Sequence, residues 1–268
     1  MSQLKVQNIT DHIVLLTLNN PDQKNAITYE MIEGLEKELL RLDTDKKCRV
    51  VILTGEETAF SAGGDVKAMN DRTGMFSGDS PELRDLYIHG IQRIPRIIER
   101  FQKPIIAFVN GAAVGAGCDL TMMCDLRVGY EHSQFAETFN RLGLVPGDGG
   151  TFFLQRVLGY SKAMNMFLTG KFYKGQEAYD YGLLDYFHST NDRALAFAEC
   201  LKLAETISQM APIAVRFTKK AMKLSYLSSM EDSLEALATY QSITQRTDDH
   251  REAVEALLEK RSPVFENR

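Results

Sequence analysis

Ile105-Ile106-Ala107-Phe108-Val109-Asn110-Gly111-Ala112-Ala113-Val114-Gly115-Ala116-Gly117-Cys118-Asp119 is the stretch on which the fold turns. Its first five residues are a short apolar run and read as a buried strand. Asn110-Gly111 is a turn signal, and small residues then lead into a helix that begins around Gly115–Gly117 and ends near Cys124. A second stretch repeats the arrangement. Arg49–Leu53 is a β-branched run bounded by Thr54-Gly55, and Phe60-Ser61-Ala62-Gly63-Gly64-Asp65 follows it. Glycine permits positive φ and lets a ligand approach backbone N–H groups closely. A helix start adds free N–H donors and the positive end of the macrodipole. Two such amides aimed at one carbonyl oxygen form an oxyanion hole. The other use of these glycines is tight turns and close helix–strand packing.

Outward from these turns the pattern alternates. Leu4–Ile9 and His12–Leu18 read as a hairpin joined by Thr10-Asp11. Thr28 is a candidate N-cap for a helix in which Met31, Ile32, Leu35, Leu39 and Leu42 recur at helical spacing. Residues 56–80 are loop-rich. Ser80-Pro81-Glu82 starts a helix expected to run to about Phe101, capped by the serine and kinked at Pro95. Leu126–Tyr130 is another short strand. After Asp192 the segments Arg193–Gln209, Ile213–Leu224 and Ser233–Lys260 all look helical, with Pro212 between the first two. Residues 1–195 therefore form an α/β layered core and 196–268 a helical segment suited to a lid or an oligomer contact.

The chain has 268 residues, 44% hydrophobic and 25% charged, enough for a large core. Its net charge of -5 argues against a nucleic-acid partner. Arg84, Arg93, Arg96 and Arg100 share one helix, but Glu82, Asp85 and Glu99 offset them. No apolar run approaches the roughly 18 residues of a membrane span. The N-terminal residues have neither a signal-peptide core nor a transit character, so the expected location is cytoplasmic. Cys48, Cys118, Cys124 and Cys200 lack CxxC spacing and the five histidines lack ligand spacing. No metal site or disulfide framework is expected. A dinucleotide fingerprint, a Walker A loop and a GxSxG elbow are absent as well. Two acids stay ambiguous: Asp148, in Gly143–Thr151, is a helix cap or an active-site carboxylate, and Glu137 is solvated surface or part of a site.

These segments resemble the enoyl-CoA hydratase/isomerase (crotonase) family. Asn19-Asn20-Pro21…Lys24-Asn25-Ala26, Val51–Gly55 followed by Phe60–Val66, Lys103–Leu120 with Cys124-Asp125, Leu142–Gly147 and Arg261–Phe265 match its motifs in order. The resemblance spans nearly the whole chain. It implies a spiral of ββα units with a helical C-terminal trimerisation segment, and a homo-trimer or dimer of trimers. It implies a CoA thioester substrate and no further cofactor. By position, the oxyanion donors are the N–H groups of Gly64 and Ala116. Lys24, Ala26, Ala62, Asp65 and Val66 lie along the adenine and pantetheine path, Phe139 borders the acyl group, and Phe265 approaches the CoA of a neighbouring subunit. Such a hole stabilises a thioester enolate, which suits hydration or double-bond isomerisation.

The departures concern the acids. Family hydratases use two glutamates; Asp119 stands at the first position and Phe139 at the second. Isomerases with one glutamate place it at that second position. Dienoyl-CoA isomerases carry Asp at the first. The expected acid/base set is Asp119 with Glu137 or Asp148; Glu137 would share a side with Phe139 if that stretch is extended. Thioester or C–C hydrolysis, or CoA-thioester binding with little catalysis, are the alternatives. Residues Met69–Tyr87 are expected to line the acyl pocket.

Overall fold

The computed structural model describes residues 2–268. Its strands are β1 (Leu4–Asn8), β2 (Ile13–Leu18), β3 (Val50–Gly55), β4 (Ala59–Ser61), β5 (Ile105–Val109), β6 (Ala112–Val114), β7 (Leu126–Tyr130), β8 (Gln134–Ala136), β9 (Tyr173–Lys174) and β10 (Tyr186–His188). They form a six-stranded sheet of order β1-β2-β3-β5-β7-β10 and a four-stranded sheet of order β4-β6-β8-β9. β1–β2 and β8–β9 are antiparallel and the remaining pairs are parallel. Each consecutive pair β3–β4, β5–β6 and β7–β8 contributes one strand to each sheet before a helix follows. Repetition of that step is the expected spiral of ββα units.

Parallel central strands need apolar cover on both faces. Every residue of β3 and β5 is buried. On one face, Val51, Leu53, Ile105 and Ala107 meet the helices Tyr29–Thr44, Arg93–Arg100 and Ala116–Met123. On the other, Ile52, Ile106, Phe108 and Val128 meet Ala196, Cys200 and Ala204 of the helix Arg193–Ser208. The first C-terminal helix is thus a layer of the core. Thr28 caps the helix Tyr29–Thr44 through the Met31 N–H.

Each passage between sheets is a sharp corner, and buried amides hold it. Asn110 accepts the Gly55 N–H at 2.9 Å and the Thr54 hydroxyl at 3.1 Å. Its amide donates to the carbonyls of Glu57 and Ala59, both at 3.1 Å. Asn25 donates to the Ala59 carbonyl at 2.8 Å. A Cβ on Gly111 would stand 1.9 Å from the Thr58 carbonyl oxygen, so the turn needs glycine there.

Several expectations are corrected. The segment from Ser80 is two helices, Ser80–His89 and Arg93–Arg100. The break falls at Gly90, and Pro95 sits in the first turn of the second helix, where a missing N–H costs nothing. Asp79, not Ser80, is the N-cap; it forms a reciprocal pair with Glu82. Residues 56–80 contain the helix Val66–Asp71, capped by Asp65. Ser233–Lys260 is interrupted: one helix ends at Thr244 and another starts at Asp248 under a Thr247 cap.

The helix Pro212–Leu227 is tied to the core through Lys219, which donates to Asp125 at 2.6 Å and to the Lys103 carbonyl at 2.8 Å. Met222, Leu227, Met230, Leu257 and Leu258 are exposed on the C-terminal helices. No helix among the described residues is long and apolar enough to cross a membrane. Replacing Asn110 with Ala strands the Gly55 N–H in the interior. It should lower the unfolding free energy by roughly 1–3 kcal/mol, seen as a lower denaturant midpoint; an unchanged midpoint would show that the corner stands without it.

Candidate active site

The site starts from the contact between the two glycine turns. Gly63 has a φ of 82°, and a Cβ on it would lie 2.4 Å from the Val114 carbonyl oxygen. A Cβ on Gly117 would lie 2.2 Å from the Ser61 carbonyl oxygen. Local bonds fix both turns. The Ser61 hydroxyl donates to the Asn25 carbonyl at 2.8 Å and accepts the Gly63 N–H at 3.1 Å. Ala62 N–H donates to the Lys24 carbonyl, Ile27 N–H to the Gly63 carbonyl, and Gly115 N–H to the Ala136 carbonyl. The Gly64 and Ala116 N–H groups have no acceptor among the described residues. Ala116 is the first residue of its helix, so its N–H is free by construction and carries part of the helix dipole.

Both residues line one apolar slot. Met69, Phe76, Tyr87, Phe139 and Leu144 supply most of its wall, and Asp148 is the only carboxyl in it. The slot continues into a groove of about 640 Å³ between residues 66–87 and Leu142. The pocket therefore draws heavily on Met69–Tyr87, and Leu144 and Ile91 join it from outside that range.

Behind the slot lie two further acids. Asp119 and Glu137 are 0% exposed and Asp148 is 3% exposed. Both carboxyl oxygens of Asp119 and of Glu137, and Oδ1 of Asp148, have no N–H or O–H donor among the described residues. Asp119 is within hydrogen-bond reach of both other acids and stands between them. Burial is the main cause that raises all three pKa values; neighbouring carboxyl charge adds to it for Asp119 and Glu137. Glu137 is pushed up to about 8 and Asp119 well above its ordinary value. Hydrogen bonding from Asp119 partly offsets burial at Asp148 and at Glu137. Like charges this close cannot all ionise, so the cluster keeps protons at neutral pH.

Asp148 does not cap the following helix; Gly149 occupies that position with no side-chain bond. Glu137 is not solvated surface. Nor do Glu137 and Phe139 share a side, because Thr138 has a ψ of 7° and Phe139–Leu142 is a 3-10 turn. That turn sends Phe139 to the slot and leaves Glu137 behind it. Two contributors escaped the sequence reading. A Cβ on Gly150 would stand 1.9 Å from Asp119 Oδ1, so this glycine lets the helix Gly150–Leu158 close over the acids. Paired glycines at a helix start were the available signal. Tyr87 lines the slot beside Asp148, and burial first, then the Asp148 charge, raises its pKa; no sequence pattern marks it.

Lys24, Ala26, Ala62, Asp65 and Val66 gather around the first turn. Lys24 is left-handed at φ 51°, and Asp65 both caps Val66–Asp71 and accepts the Gln23 amide at 2.9 Å. Phe265 lies elsewhere. Its carbonyl accepts from Arg49 at 2.6 Å, at the start of β3, whereas the slot lies beyond the end of that strand.

The chain matches the enoyl-CoA hydratase/isomerase family over residues 8–268. It is 34% identical over 271 residues to 2,3-dehydroadipyl-CoA hydratase of Escherichia coli (strain K12), covering 100% of both chains. It is 30% identical over 265 residues to 1,2-epoxyphenylacetyl-CoA isomerase of the same organism, covering 99% of each. The crystal structure of enoyl-CoA hydratase from Bacillus anthracis has a TM-score of 0.91 and 30% identity, covering 99% of this chain and 100% of that one. The spiral fold and these similarities agree: the chain belongs to the enoyl-CoA hydratase/isomerase family and is an enzyme of acyl-CoA hydration or isomerisation.

Proposed function

We propose that this enzyme shifts a double bond, converting a 3-enoyl-CoA to a 2-enoyl-CoA with Asp148 as the proton carrier. The observation that carries the reading is a single apolar slot that presents two unpaired N–H groups and one carboxyl. Hydration by the two-acid route needs a second carboxyl to hold and activate water. Phe139 takes that place on the slot wall, and Asp119 lies behind Asp148.

The Asp148 carboxylate removes a proton from Cα, and the C–H electron pair moves into the thioester, placing negative charge on its oxygen. The N–H groups of Gly64 and Ala116 stabilise that charge, which develops only along the reaction. The Asp148 carboxylic acid then returns the proton to Cγ. The product is an isomer that keeps its CoA thioester, and nothing is consumed. A raised pKa suits this task, because a stronger base matches a Cα proton better. Lys24, Ala26, Ala62, Asp65 and Val66 form the rim for the adenine and pantetheine. The exposed apolar side chains of the C-terminal helices suit a trimer or dimer of trimers, in which Phe265 would serve the CoA of an adjacent subunit.

The test offers 3-enoyl-CoA and follows mass and conjugation. An isobaric conjugated product is expected; a water adduct, free CoA, or binding without turnover would each contradict the proposal. Asp148→Asn should lower kcat by about 10²–10⁴-fold with the fold intact. The reaction needs ionised Asp148, so the wild-type rate should fall as pH drops through its raised pKa. Ala116→Pro removes one donor at a helix position that tolerates proline. It should lower kcat by about 10²–10³-fold, with an unchanged circular dichroism spectrum.

A further inference from the structure

The acid that lines the slot is carried by a loop with little backbone support of its own. Asp148 stands between Gly147 and Gly149, two residues with no Cβ to restrict their backbones. The loop is fixed at both ends. The Leu144 N–H donates to the Phe139 carbonyl at 3.0 Å, and the Gly149 carbonyl accepts the Phe152 and Phe153 N–H groups at 2.9 and 3.1 Å. Between those ends, one hydrogen bond from another residue reaches the backbone of residues 145–148 among the described residues. The Gln92 side-chain amide donates it to the Gly147 carbonyl at 2.8 Å.

Gln92 lies between the helices Ser80–His89 and Arg93–Arg100 and is itself held. Its N–H donates to the Tyr87 carbonyl at 3.1 Å. Its side-chain oxygen accepts from Arg96 at 3.2 Å, and Arg96 also donates to the Ile88 carbonyl at 2.6 Å. A guanidinium can only donate and a carbonyl can only accept. These two partners therefore admit one orientation of the amide, with its oxygen towards Arg96 and its nitrogen towards Gly147. The Tyr87 ring closes on the same turn: a Cβ on Gly147 would stand 2.9 Å from Tyr87 Cε1.

We propose that Gln92 is a positioning residue for Asp148: its amide, oriented by Arg96, holds the Gly147 carbonyl and so fixes the peptide from which the Asp148 carboxyl enters the slot. The inference rests on the reading of Asp148 as the proton carrier. The Gly147 carbonyl shares one rigid plane with the nitrogen and Cα of Asp148. Holding that oxygen therefore fixes where the Asp148 side chain sets out. Gln92 is not part of the slot wall, so it acts through Asp148 and not on the acyl group. Without its hydrogen bond the loop is free to turn at the two glycines, and the carboxyl leaves its line with Cα and Cγ. A displacement of about 1 Å is enough to cost roughly a hundredfold in rate.

The test pairs kinetics with crystal structures of the whole chain. Gln92→Glu keeps the length and the Arg96 partner but turns an acceptor towards the Gly147 carbonyl. Gln92→Met keeps the length and removes the donor. Both should lower kcat on 3-enoyl-CoA by about tenfold to a hundredfold, with KM little changed. In an Asp148→Asn background the same substitutions should cause no further loss, because the group they misplace is already gone. In crystals of both variants Asp148 should stand about 1 Å from its wild-type place while the sheets superimpose. An unmoved Asp148 in both, or an equal fold-loss with and without the Asp148 carboxyl, would overturn the proposal and leave the Tyr87 packing as what holds the loop. Wild-type kcat in Asp148→Asn alone would instead defeat the isomerase reading. The crystal comparison needs no substrate, so it judges the positioning in either case.

Discussion

Everything at the site depends on the approach of two backbone turns with no side chain between them. Gly63 faces the Val114 carbonyl and Gly117 faces the Ser61 carbonyl at distances that leave no room for a methyl group. That contact brings Gly64 and Ala116 to one slot, and the N–H of neither has an acceptor among the described residues. Two unpaired amides beside an apolar wall have a free-energy cost in the empty protein. The cost is offset by the surroundings: β3 and β5 are buried along their whole length, and Asn25 and Asn110 bond the corners on which the turns rest. A rigid scaffold can hold donors ready for a charge that appears only during the reaction.

The same scaffold explains how acids are kept in an interior that disfavours charge. Gly150 allows a helix to close over Asp119, which seals the cluster from solvent. Sealing raises the pKa values, and the charge of neighbouring carboxyls raises Asp119 and Glu137 further. Only Asp148 reaches the slot. Depth thus divides the three acids: Asp148 lines the slot, and Asp119 and Glu137 lie behind it. It distinguishes this site from one in which two acids hold a water between them.

The strands, the capped helix at Thr28 and the two glycine turns were legible because their causes are local. A β-branched run, a hydroxyl before a helical period and a glycine after a strand each carry their own meaning. The spiral of ββα units was implied by resemblance, and the sheet order bears it out. Boundaries set by competition were less legible. Gly90 breaks a helix that Pro95 appeared fit to kink, because a proline in a first turn needs no acceptor. The short helix after Asp65 was hidden in a glycine-rich stretch. The acid cluster was legible only as three separate residues. Whether Glu137 faces the slot depends on the 3-10 turn after Thr138, which has no strong sequence mark. The closing role of Gly150 and the place of Tyr87 arise from contacts between elements distant in the chain.

The most direct measurement is the crystal structure of the enzyme with a bound, unreactive acyl-CoA. The thioester oxygen is expected about 3 Å from the N–H groups of both Gly64 and Ala116, with Cα and Cγ on the Asp148 side of the slot. A thioester oxygen bound away from these two amides, or an acyl chain whose Cα faces Phe139 while Asp148 stays out of contact, would contradict it.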